Sequence, residues 1–101
     1  MSNFSPDDFE AIIDNVRKKI NDFIECDNTR AIESNLNTKS MVFEARGSEE
    51  VNGAVIIGED NGQIAVDISV PDGSVRSFIL KDKNDRSGIN NIIGWFRQNY
   101  S

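Results

Sequence analysis

An α+β fold ordered α-β-β-β-β-α is predicted by three features of this 101-residue chain. Two segments, one near the start and one at the end, repeat apolar residues at spacings of three and four, the period of a helix facing a core. Between them lie four short stretches rich in Val, Ile and Phe, the composition of strands. Two of the gaps are Asn61-Gly62 and Pro71-Asp72-Gly73, which are hairpin turns by composition. Such short turns favour a four-stranded antiparallel meander with both helices packed on the sheet. The length suits one domain, residues 1–101, with a modest core.

The first helix is predicted over residues 6 to 25. Ser5 is placed to cap it, Pro6 occupies its first position, and Asp7 and Asp8 bring negative charge to its first turn. Phe9, Ile12, Ile13, Val16, Ile20, Phe23 and Ile24 make the apolar stripe. Residues 27 to 40 are rich in Asn, Ser and Thr and read as a connection, with Ile32 and Leu36 spaced for one short helical turn.

Strands are predicted over 40–46, 53–58, 63–70 and 75–81. The Asn61-Gly62 turn sets Ile57 opposite Val66 and Val55 opposite Ile68. The Pro71-Asp72-Gly73 loop, a type I turn closed by a left-handed glycine, sets Val66 opposite Phe78 and Ile64 opposite Leu80. Both turns select one core face: Val55, Ile57, Ile64, Val66, Ile68, Phe78 and Leu80. The second helix is predicted over 87–99 from Ile89, Ile92, Ile93, Phe96 and Tyr100. Gly94 within it costs up to about 1 kcal/mol relative to alanine, and close packing on the sheet would account for it.

Composition excludes several functional classes. Histidine is absent, which removes the usual general base and zinc ligand. A single cysteine, Cys26, accords with a reducing compartment. At the expected end of the first helix, between Glu25 and Asp27, it is poorly placed to be a reactive thiolate. The opening MSNFSPDDFE has neither a basic region nor an apolar core, and no apolar run spans a bilayer. A cytoplasmic protein without membrane contact is expected. Neither glycine-centred loop fits a calcium hand. With Gly62 sixth, Ile57 and Ile68 occupy the first and twelfth positions, and with Gly88 sixth, Lys83 and Gly94 do. No phosphate-binding glycine motif is present, so no metal, cofactor or catalytic residue is expected.

Asp67 interrupts an otherwise apolar ladder in QIAVDISV. Parity places it on the face opposite Ile64, Val66 and Ile68, with Ile56 and Ser77 across from it. A catalytic carboxylate needs a partner that drives the two pKa values apart, and the spacing supplies none. Asp67 is read as the wet side of a strand.

The formal charge is −6, with eleven acidic and six basic residues in the first fifty positions. This favours a small acidic, non-enzymatic protein-binding module, a build shared with inhibitors, immunity proteins and small chaperones. Asp7, Asp8, Glu10 and Asp14 on the first helix, with Glu49 and Glu50, would meet a basic partner and speed encounter. Ile56, Val75 and Ile79 on the second sheet face, and Trp95, are apolar candidates for the same partner or for a homodimer. The alternative is a single-stranded nucleic-acid-binding domain using Arg76, Lys81, Lys83 and Arg86 around the last hairpin and loop. The order of strands followed by a helix is similar to that of the single-stranded-DNA-binding folds of some transcriptional coactivators. Asp82 and Asp85 among these cations and the net charge make nucleic acid the less expected partner.

Overall fold

The computed structural model describes residues 4–27, 38–45 and 53–100. Helix α1 (Pro6–Ile20) begins as expected: Ser5 stands before it, Pro6 opens it, and the Ser5 amide donates to Asp8 Oδ2 at 3.0 Å. Its buried face is Phe9, Ile12, Ile13, Val16 and Ile20.

The helix stops five residues short of the predicted end. The Phe23 amide donates to the Ile20 carbonyl at 3.1 Å, and the chain enters a strand, β1 (Ile24–Asp27). Asn21 and Asp22 are weak helix formers, and residues 24–27 find an extended partner instead. Ile24 lies opposite Ala45 and Cys26 opposite Phe43 on β2 (Lys39–Ala45). Ile24 is still fully buried, now from a strand. The sheet thus has five strands where four were expected, and Cys26 belongs to β1 rather than to a helix end. Ile32 and Leu36 of the connection, and Glu49 and Glu50 of the loop after β2, lie outside the described residues.

Strands β3 (Gly53–Asp60), β4 (Gln63–Ser69) and β5 (Val75–Leu80) complete an antiparallel sheet in the order β1-β2-β3-β4-β5. The turns work as their chemistry requires. Asn61 and Gly62 take positive φ of 51° and 78°, and Ile57 lies opposite Val66. Gly73 takes φ 95°, and the Val70 amide donates to the Ser74 carbonyl at 3.0 Å, so Val66 meets Phe78.

Helix α2 (Arg86–Tyr100) buries Ile89, Ile92, Ile93 and Phe96. Asp85 caps it, accepting from the Gly88 amide at 3.1 Å and from the Lys81 amide at 3.0 Å. These two bonds hold its carboxyl below the usual carboxylate range. Gly94 faces open space, with nothing within 4 Å of where a Cβ would stand, so sheet packing does not explain it. The close approach is at Gly88, where a Cβ would lie 2.8 Å from Leu80 Cγ.

Both helices and one face of all five strands contribute to a continuous cluster. Phe43 stands at the far end of α2, its ring centroid 5.0 Å from Phe96 and 5.6 Å from Tyr100 in edge-to-face contact. Of the predicted core face only Phe78 is partly buried, because β5 is the sheet edge. Among the described residues, no helix is long and apolar enough to cross a membrane.

Candidate functional site

Because α1 and α2 share one side of the sheet, none of the described helices covers its other side. Directly opposed residues of antiparallel strands point to the same face, and the registers assign that face residue by residue. Val42, Ala54, Ile56, Ala65, Val75 and Ile79 make its apolar part, with Ser40, Ser69 and Ser77 between them. Exposure is greatest at the β5 edge, where Val75 is 61% and Ile79 50% exposed; Ile56, nearer the centre, is half-buried.

The charges on this face have one sign. Glu25 and Glu44 lie directly opposite each other across β1 and β2, Asp60 lies at the end of β3, and Asp67 lies in mid-sheet. Among the described strand residues of this face there is no lysine or arginine. Like charges opposed across a strand pair disfavour one another, and a cation above them would relieve that repulsion. Asp67 has the expected neighbours, Ile56 and Ser77, and its Oδ1 accepts from the Ser77 hydroxyl at 2.7 Å. Its contact is a neutral hydroxyl, which is the wet-strand arrangement and not an acid–base pair. Among the described residues, no group of three His, Cys, Asp or Glu is placed to hold a metal.

The carboxylates nominated on α1 are on the helical side, away from Ile56 and Ile79. Two of them have internal roles. Asp8 completes the capping box, and its Oδ1 lies 3.6 Å from Lys83 Nζ. The Ser5 amide above all, and Lys83 beside it, lower the Asp8 pKa. Asp14 pairs with Arg17 at 2.9 Å. Asp7 and Glu10 remain exposed. Asp8 and Lys83, nominated for rival functions, therefore engage each other.

The cluster nominated for nucleic acid is also dispersed. Arg76 stacks over the Phe78 ring at 5.4 Å, and Lys81 precedes a turn in which Asp82 accepts from the Asn84 amide at 2.8 Å. Lys83 and Arg86 do come together, in a polar groove between the two helices that Lys19 also lines. Lys19 was not singled out in the sequence; its position in the last turn of α1 gave no sign that α2 begins beside it.

Trp95 lies at the core margin, half-buried, 5.1 Å from Phe96 and 5.7 Å from Tyr100 between ring centroids. With Arg76 it lines two adjoining grooves between α2 and the β4–β5 hairpin, of about 530 and 480 Å³. Val75 reaches the first of these from the edge. Tyr100 lines that groove too, and burial, then the nearby Asp72 charge, push its phenol pKa up. No protein-family model, no curated protein and no solved structure matches this chain.

Proposed function

We propose that the protein is a non-enzymatic, single-domain binding module of the cytoplasm that recognises a basic protein through the sheet face opposite its two described helices. The observation that carries this reading is the character of that face. It combines apolar residues from Ile56 at mid-sheet to Val75 and Ile79 at the β5 edge with the carboxylates Glu25, Glu44, Asp60 and Asp67. Apolar residues interspersed with charges of one sign suit a partner surface of the opposite sign that carries apolar groups of its own. The α1 carboxylates contribute less to this reading, since Asp8 and Asp14 already have cationic neighbours.

Capture of the tagged protein's partner from native lysate, with nuclease present, tests it in three forms: wild type, Glu44→Lys/Asp67→Lys, and Asp7→Lys/Glu10→Lys. The expected outcome is a stoichiometric protein retained by wild type and by the α1 variant but lost by the sheet-face variant. Loss only with the α1 variant would refute the assignment. The nucleic-acid alternative is favoured by one observation, the Lys19, Lys83 and Arg86 groove. It requires nuclease-sensitive recovery that falls steeply with salt.

A further inference from the structure

We propose that the protein self-associates edge to edge, with β5 pairing antiparallel to β5 of a second copy about a twofold axis at Ser77. This would join two five-stranded sheets into one. The inference stands apart from the partner reading, since it concerns the rim of the sheet and not its face.

Among the described residues, β5 is the last strand of the sheet and pairs on one side only. Natural edges are usually blunted by proline, a bulge, or charge. β5 contains no proline, its register with β4 runs one to one from Val75 to Leu80, and it has no carboxylate in a chain of net charge −6. Its single charge, Arg76, is folded over Phe78. Among the described residues, the exposed large hydrophobics, Val75 and Ile79, are both on this strand and lie two positions either side of Ser77.

Symmetry restricts the registers. A twofold axis relating antiparallel strands stands perpendicular to the sheet, so opposed residues share a face and the axis passes through Arg76, Ser77 or Phe78. At Ser77, Val75 of each copy meets Ile79 of the other, and both exposed apolar residues are covered twice over. Arg76 then lies opposite Phe78 of the second copy, repeating across the junction the stacking it makes within the chain. At Arg76, the two guanidinium groups would be opposed and Ile79 would meet Gly73. At Phe78, Val75 would meet Lys81 and Ile79 would meet Ser77. Only the Ser77 axis gives both exposed apolar residues, Val75 and Ile79, apolar partners while avoiding like charges. The same axis puts the described helices of both copies on one side and makes the two opposite sheet faces continuous.

The register is tested by cross-linking. Directly opposed antiparallel residues have Cα atoms about 4.5–5.5 Å apart, within disulfide reach. Differently tagged Val75→Cys and Ile79→Cys chains, mixed and mildly oxidised, should form the mixed dimer in preference to either like pair. Ser77→Cys should cross-link to itself, and wild type, which keeps Cys26, serves as the control. Sedimentation equilibrium of the wild type up to about 1 mM, the weak end of specific affinity, should show dimer. Val75→Lys/Ile79→Lys, with an unchanged circular dichroism spectrum, should weaken it by at least about tenfold. A wild-type monomer across that range, a dimer indifferent to the lysines, or a preference for like cysteine pairs would overturn the proposal. A monomer that still captures its partner sinks this inference alone.

Discussion

Alanine substituted separately at Gly94 and Gly88 tests how α2 lies on the sheet. Both glycines are in the same helix, and in its interior glycine costs about 0.8–1 kcal/mol relative to alanine. Their surroundings differ. A Cβ at position 94 meets nothing within 4 Å, so Gly94→Ala should recover most of the propensity term, about 0.5–1 kcal/mol. A Cβ at position 88 would lie 2.8 Å from Cγ of Leu80, a side chain that is fully buried and cannot swing away. Overpacking of this kind typically costs about 1–3 kcal/mol. Gly88 stands in the first turn, where the interior propensity gain does not apply, so the overpacking loss there is not offset. For a domain near this size 1 kcal/mol is about 4–8 °C in Tm, so thermal and urea unfolding followed by circular dichroism resolve both signs. Gly94→Ala should melt higher than wild type and Gly88→Ala lower than Gly94→Ala. A Gly88→Ala protein as stable as Gly94→Ala would refute the described contact between α2 and Leu80.

Two further outcomes follow from the core and the caps. Phe43→Ala removes a fully buried ring that meets Phe96 and Tyr100, and should cost about 3–5 kcal/mol in urea unfolding with loss of near-ultraviolet dichroism; less than about 1 kcal/mol would mean the ring is not in the core. Asp8, Asp72 and Asp85 are each held below the ordinary carboxylate value of 3.8 chiefly by backbone amide hydrogen bonds. A carboxylate whose pKa is lower folded than unfolded stabilises fully above the unfolded value and loses that stabilisation as pH falls through the folded one. Stability should therefore decline below about pH 4, and Asp85→Asn, which keeps a capping oxygen but cannot ionise, should make the decline shallower; an unchanged slope would refute the role of Asp85.

What local chemistry controls was legible in the sequence. Ser5, Pro6 and the first-turn carboxylates mark the start of α1. Asn61-Gly62 and Pro71-Asp72-Gly73 set three strands in register, because each turn type admits few backbone angles and a slip of one residue would turn every side chain to the wrong face. From that register followed the position of Asp67 beside Ile56 and Ser77. The end of α1 was not legible, because Phe23 and Ile24 continue the helical spacing, and only the long-range partner Ala45 makes Ile24 a strand residue. Four residues are too few to display their own alternation. The candidate site was legible only in part: Ile56, Val75 and Ile79 were separable by parity, but Glu25, Glu44 and Asp60 join them through the strand order. Asp8 and Lys83 are 75 positions apart in sequence and 3.6 Å apart in space. Periodicity and turn chemistry act over a few residues and so determined elements and register. Which side of the sheet receives both helices is a choice among distant contacts, and only the tertiary structure decided it.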